Sequence, residues 1–357
     1  MRVRRPLRHD DVVRHLWRAA AEGRLPHALL FEGELGIGKF EAAKWFAAGI
    51  LCGAGPGAAC LACPPCKRVL SGGVYGNHPD LFVLDAVHEG QEQIRVGRIA
   101  YRPEADLPDP ERCVERFLEL RAVEGGVRLV LIREGQRMNA EGQNAFLKTL
   151  EEPRPGILLV LETHAVDALL PTIRSRCVRI RFEPLSNAEC VQVLTEEGLA
   201  LDEAEELARW ARGSPGRALS LRARNVRELR GLFLSALFGE RPPFELAQAI
   251  DELDGDFEGA TEGARERDRA RTAIELSQAL LLDLLRAGNG LDPLELAHGD
   301  AARRAAEGGS DSRGIERALA RLLALRADVD RNLQPGALVE RALLVLCDLR
   351  GPRSAAR

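Results

Sequence analysis

Four cysteines, Cys52, Cys60, Cys63 and Cys66, fall within fifteen residues in the spacing C-x7-C-x2-C-x2-C. Thiolates in that pattern suit zinc, because a C-x2-C turn points two sulfurs inward and the metal takes four in a tetrahedron. Pro64 and Pro65 stiffen the last turn and lower the entropy lost on ligation. Four sulfurs close the shell and leave no position for water, so the expected Zn2+ is structural. Unligated thiols this close together would oxidise or capture metal in any case. The scattered Cys113, Cys177, Cys190 and Cys347 read as small buried apolar residues.

A second constellation precedes the first. The stretch GELGIGKF begins as a phosphate-binding loop: Gly33, Gly36 and Gly38 let backbone N–H groups approach an anion, the following helix adds positive potential, and Lys39 adds charge. The next residue should carry a hydroxyl for magnesium, and it is Phe40. A carboxylate is also needed just after a neighbouring apolar strand, and the residue after LVLI is Arg133. A like charge about 4 Å from a cation costs about 4 kcal/mol per unit charge pair at a dielectric of ~20, and magnesium carries two. Glu134 comes next, but adjacent side chains on a strand face opposite ways. Binding of ATP or ADP is left open; hydrolysis is not expected.

These residues need elements to hold them. Apolar runs at 28–31, 81–84, 129–132 and 157–161, with an alternating run at 178–182, predict five strands of a mainly parallel, buried sheet in an α/β domain. A helix is expected from about 140 to 152, stopped by Pro153, and a shorter one ending near Arg176. His78 and Asp80 are expected to fix a turn before the second strand. After Pro184 only helical patterns remain, the first capped by Asp202 and ended by Gly213. Gly/Pro breaks at 239–243, 288–290 and 308–314 separate the later helices. The last carries Leu338, Val339, Ala342, Leu343, Leu346 and Leu349 on one face. No internal repeat is found.

The chain has 357 residues, 45% hydrophobic and 29% charged, which predicts two or three globular domains. No apolar run approaches membrane-spanning length and the basic start lacks a secretory core, so a cytoplasmic location is expected. A net charge of −4 argues against a chain built to coat nucleic acid. Arg2, Arg4, Arg5 and Arg8 form a small basic cluster that a solvated terminus explains equally well.

The strings PHALLFEGELGIGK, the zinc cysteines, GNHPDLFVL, NAFLKTLEEP and LLPTIRSRC occur in the order found in bacterial clamp-loader subunits of the AAA+ class. The chain resembles that family from Leu7 to Ala218, and more weakly to NLQPGALVERALLVL near its end. The resemblance implies three domains: an AAA+ nucleotide-binding-like domain at 1–182 with its zinc module at 52–66, a helical lid at 183–225, and a helical collar at 226–357. It also implies partners, namely the gamma/tau and delta subunits of a DNA polymerase III hetero-pentamer that opens the sliding clamp and places it on primed DNA.

Motor subunits of the family keep both magnesium contacts, and this chain has neither. It is therefore expected to be a non-catalytic stator. Ser175, Arg176 and Cys177 resemble the family's SRC element, whose arginine reaches the nucleotide of the adjacent subunit. A guanidinium given in trans stabilises charge developing on a transferred phosphoryl group. Taken alone, an arginine at a helix end is a dipole partner or a surface ion pair. Thr163 matches the sensor 1 position and Arg217, in GSPGRAL, the sensor 2 region; both are expected to be relics or structural donors. The passage from Asp85 to Gly126 is longer than the family's, and YRPEADLPDPE within it is expected to be an exposed loop. Two rival readings remain: an active motor ATPase using Glu134, and a zinc-dependent DNA-binding module.

Overall fold

The computed structural model describes residues 6–349 apart from 58, 59, 72, 105–108, 110, 125, 260, 293–295, 308–311, 330 and 332. Arg2, Arg4 and Arg5, and most of the 308–314 break, lie outside the described residues. The chain divides into two compact units, Met1–Cys190 with Gly213–Gly216, and Val191–Arg212 with Arg217–Arg357.

In the first unit the order is α1 (Asp10–Ala21), β1 (Ala28–Glu32), α2 (Lys39–Ile50), α3 (Pro64–Leu70), β2 (Leu81–Leu84), α4 (Val96–Ile99), α5 (Val114–Glu119), β3 (Arg128–Ile132), α6 (Ala140–Glu151), β4 (Ile157–Thr163), α7 (Pro171–Arg176) and β5 (Val178–Arg181). The five strands that the apolar runs predict form one parallel sheet, whose order is β2-β3-β4-β1-β5. Strand side chains alternate between faces, so neighbours in sequence enter different cores. Leu29, Phe31, Leu129, Leu131, Leu158 and Val160 pack with Trp17, Ala43 and Phe46. Ala28, Leu30, Val130, Ile132, Leu159 and Leu161 pack with Ile99, Leu118, Phe146 and Ile173 on the other side.

The passage 85–126, whose structure the sequence does not foretell outside YRPEADLPDPE, carries α4 and α5, and Ile94, Ile99, Val114 and Leu118 are buried in the second core. Apolar residues outside the Pro-rich string could pay the entropy of ordering it. The described residues of YRPEADLPDPE form no helix or strand and are exposed apart from the half-buried Tyr101, over whose ring the Arg116 guanidinium lies at 3.9 Å. Arg8 is partly open to water and pairs with Glu183 at 3.0 Å and Glu189 at 3.6 Å. His78 and Asp80 do fix the turn. The Asp80 N–H donates to His78 Nδ1, and the Asp80 carboxylate accepts the N–H groups of Val123 and Glu124 at 2.7 and 2.8 Å.

Helix α8 (Asn187–Glu196) crosses the division, and α9 (Leu201–Ala211) follows. Its N-cap is Ala200, so Asp202 lies inside the first turn rather than capping it, where a carboxylate still suits the helix dipole. Arg212 at φ 51° and Gly213 at φ 78° end it in left-handed conformation. Then come α10 (Pro215–Ala223), α11 (Val226–Phe238), α12 (Pro243–Asp251), α13 (Glu262–Gly288), α14 (Gly299–Glu307), α15 (Ser312–Val329) and α16 (Pro335–Cys347). Helix α13 packs against α14, α15 and α16. Leu338, Val339, Ala342, Leu343 and Leu346 of α16 are buried. A polar cluster sits within this unit: the Asp283 carboxylate accepts the His298 N–H at 3.0 Å, and Arg230 Nε lies 3.2 Å from His298 Nδ1. Burial pushes the imidazole down to about 3, with the Arg230 charge adding to it. Among the described residues no helix is long and apolar enough to cross a membrane.

Candidate functional site

Strand β1 delivers the chain to Gly33, where a Cβ would lie 2.5 Å from the Phe182 carbonyl oxygen. Gly36 and Gly38 have φ of 77° and 95°, which glycine adopts without strain, and α2 starts at Lys39. Each carbonyl of residues 33–38 has a protein partner. Lys39 Nζ donates to Gly33 O at 2.9 Å and Glu34 O at 2.5 Å. The Ser214 hydroxyl donates to Leu35 O at 2.7 Å, and the Gly216 N–H to Gly36 O at 2.9 Å. His9 Nε2 lies 3.0 Å from Ile37 O, and Ala42 N–H donates to Gly38 O at 3.0 Å. A Cβ on Gly216 would meet Gly36 Cα at 2.9 Å, so this staple needs glycine. Of the string GSPGRAL, the sequence pointed to Arg217, which stands in the first turn of α10; the preceding Gly213–Gly216 holds the loop.

The magnesium side of the loop is rebuilt. The Arg133 guanidinium lies 5.0 Å from the centroid of the Phe40 ring, so the residues at the two positions where a magnesium site would need oxygen donors contact each other. Arg133 also pairs at 2.9 Å with the buried Asp85, just past β2. Lys39 Nζ meets Glu162 Oε1 at 3.0 Å, with both side chains buried. Glu162 Oε2 accepts the Glu134 N–H at 3.0 Å. Strand β3 ends at Ile132, so alternation does not reach Glu134, which turns at φ 49° and gives its carboxylate to Arg137. Thr163 donates its hydroxyl hydrogen to Gln136 Oε1 at 2.7 Å, and Gln136 Nε2 lies 3.1 Å from His164 Nδ1. Burial holds the His164 imidazole below its ordinary value. Glu162, Asp85, Gln136 and Ser214 escaped the sequence reading. Only Glu162 left a signal there, as a charge inside the apolar run ILLVLET.

At the other end of α2 the four cysteines meet. Their sulfurs lie within 4.8 Å of one another, with Cys52 Sγ 3.6 Å from Cys60 and 3.8 Å from Cys63. A tetrahedron with Zn–S of about 2.3 Å has edges of about 3.8 Å, so the donor set fits that ion. Cys52 follows α2, Leu61 turns the chain at φ 59°, and Pro64 and Pro65 open α3, which carries Cys66. The N–H groups of Ala54 and Cys63 donate to Cys52 and Cys60 sulfurs at 3.4 Å. The Cys66 N–H pulls the Cys63 thiol down to about 6, whereas burial pushes Cys66 up. A dication is the charge that lets all four ionise together.

Arg176 ends α7. Its Nη1 donates to Thr172 O at 3.0 Å and its Nη2 pairs with Glu151 at 2.7 Å, both side chains remaining partly open to water. The Ser175 hydroxyl donates to Thr172 O, and burial pushes the Cys177 thiol up to about 12. An ion pair this exposed holds the guanidinium by no more than about 1 kcal/mol, so a stronger anionic partner can take it.

The sequence profile of the family described as "DNA polymerase III, delta subunit" matches residues 8–186, half of the chain. The DNA polymerase III subunit delta' of Pseudomonas aeruginosa is 36% identical over 208 residues, 57% of this chain and 58% of that protein. The subunit of the same name from Bacillus subtilis is 32% identical over 199 residues, 55% and 54% of the two chains. The DNA polymerase III subunit tau/gamma of Haemophilus influenzae is 32% identical over 230 residues, 61% of this chain but 30% of that one. The chain thus spans little more than half the length of the delta' proteins it matches. The matched stretch holds the loop, the cysteine cluster and the SRC string, and with it the chain belongs to the DNA polymerase III delta-subunit family, on its delta-prime side.

Proposed function

We propose that this chain is the stator of a DNA polymerase III clamp loader: it holds its place in the assembly, does not hydrolyse ATP, and gives Arg176 to the nucleotide of a neighbouring motor subunit. The observation that carries the reading is the Phe40–Arg133 contact, which fills with a ring and a guanidinium the space where magnesium needs oxygen donors. The Glu134 carboxylate, the replacement acid that a motor would need, is paired with Arg137. The assembly would be a hetero-pentamer with gamma/tau and delta subunits, acting on the sliding clamp and primed DNA. Residues 1–182 would supply the AAA+ fold, 183–225 the lid and 226–357 the collar. Cys52, Cys60, Cys63 and Cys66 would hold one structural Zn2+, which when bound supplies charge and cross-linking but no reaction. Thr163 and Arg217 would keep only structural hydrogen bonds.

The test is a reconstituted loader with Arg176→Ala in this chain. DNA-stimulated hydrolysis should fall by about tenfold or more, since a guanidinium given in trans is worth roughly 10^3–10^5 in the one site it serves and other sites of the assembly keep their own, while assembly by gel filtration stays intact. An unchanged rate rejects the role. Turnover by the isolated chain that disappears with Lys39→Ala would favour the motor reading, and salt-sensitive duplex binding by the isolated chain would favour the DNA-binding module.

A further inference from the structure

A lysine ammonium has three hydrogens to give, and Lys39 has three partners inside the chain: Gly33 O, Glu34 O and the Glu162 carboxylate. Two of these are the loop's own carbonyls. The third comes from β4 and is an anion placed where a phosphate oxygen would bid for the same ammonium. We propose that Glu162 decides what the loop accepts: its carboxylate is an internal counter-ion that engages Lys39 and shuts the loop to polyphosphate ligands. This deepens the stator reading and depends on it only in taking residues 33–39 as a phosphate loop by descent.

Glu162 is held in place from several sides. Its backbone is registered against Phe31 in the parallel β1–β4 ladder, so it cannot slide. Its second carboxylate oxygen accepts the Glu134 N–H at 3.0 Å, and Glu134 is itself held by Arg137. Both members of the Lys39–Glu162 pair are buried, and a buried charge parts from its partner only when another takes its place. A diphosphate would bring more negative charge than Lys39 can balance. Magnesium, which ordinarily screens the excess, has lost its donors at Phe40 and Arg133. The glycines at 33, 36 and 38 and the helix start at Lys39 remain in a form that suits an anion. The closure therefore rests on one carboxylate.

The test is calorimetric titration of the isolated full-length chain with ADP and with inorganic pyrophosphate, in the absence of magnesium. Glu162→Gln keeps the shape and an acceptor for the Glu134 N–H but removes the charge; Glu162→Ala removes both. Each is checked for folding by circular dichroism and melting temperature. The expected result is at least tenfold tighter binding of both ligands to a folded Glu162 variant than to the wild type, abolished again by Lys39→Met. Tighter binding of ADP alone would still support the closure and add a nucleoside contact to it. Wild-type binding as tight as that of the variants, or no gain in a folded variant, overturns the proposal. Neither result bears on Arg176, whose role is read in the reconstituted loader.

Discussion

One helix carries two candidate sites whose charges are balanced in opposite ways. At the N-terminal end of α2, the groups that would handle a magnesium nucleotide are absorbed into the protein: Lys39 by Glu162, Arg133 by Asp85 and the Phe40 ring. Two residues beyond its C-terminal end starts a cluster whose four sulfurs lie within 4.8 Å of one another. A buried charge that loses its external partner must find an internal one, or its desolvation goes uncompensated. The loop has found such partners. The thiols contact one another and backbone groups, a donor set whose ionised charge a dication would balance.

Removing that metal is the largest perturbation the contrast predicts. Elemental analysis should find one zinc per chain. A strong chelator, or Cys60→Ser with Cys63→Ser, should destabilise the first unit by about 3 kcal/mol or more. That is below the roughly 10–16 kcal/mol of isolated zinc-finger peptides, because the α2 core persists without the ion. Phe46, Ala47 and Ala48 are fully buried in that core, among side chains from outside residues 52–66. A chain that lacks zinc as purified, yet melts at the same temperature with and without the cysteines, would erase the distinction between the two ends of α2.

The same contrast explains what could be read in advance. The cysteines come from fifteen consecutive residues, and a metal's geometry maps onto their spacing. The strands were legible because a parallel sheet covered on both faces demands unbroken apolar runs. The state of the loop was not. Its controlling partners lie far off in sequence: Ser214 is separated from Leu35 by 179 positions and Asp85 from Arg133 by 48. A lost ligand is visible locally as Phe40 or Arg133; what replaces its interactions is fixed by the fold. Asp202 misleads for a local reason, since a helix can begin two residues earlier and still profit from the acid. Helices α4 and α5 were hidden by the Pro-rich string between them.

Asp85 gives a smaller effect at the absorbed end. Its carboxylate is buried and accepts from Arg133 at 2.9 Å and from the His88 N–H at 3.2 Å. Asp85→Ala removes this acceptor from both, leaving Arg133 on the Phe40 ring. The Arg133 side chain is about a third exposed, so water recovers part of the loss and the cost should be about 1–2 kcal/mol in urea unfolding. Arg133→Leu should itself restore most of the stability of Asp85→Ala, since an apolar side chain can lie on Phe40 without a counter-charge. Additive costs in the double variant would mean the pair is not coupled, and would weaken the account of how the magnesium side was rebuilt.

The smallest effect is a pH dependence carried by His9, whose ring is buried against Phe182 at 4.8 Å and lies 3.0 Å from the Ile37 carbonyl of the loop. Burial lowers its pKa below the ordinary 6.5 and outweighs the opposing pull of that carbonyl; Arg8 and Lys39 lower it further, and Glu189 raises it. The folded state therefore binds fewer protons than the unfolded one below pH 6.5. Its contribution to stability is complete above that value, and it is lost as pH falls from 6.5 towards the depressed folded value, each unit of displacement being worth about 1.4 kcal/mol. His9→Gln keeps a donor for Ile37 O without a titrating ring. Urea midpoints for both proteins at pH 7.5 and 5.5 isolate the effect, because the acid sensitivity of the cysteine cluster and of His164 is common to them and cancels in the difference. The wild type should lose more stability than the variant across that interval. Equal losses would mean that the ring takes up its proton in the folded chain as easily as in water, and that the staple between α1 and the loop is looser than its geometry.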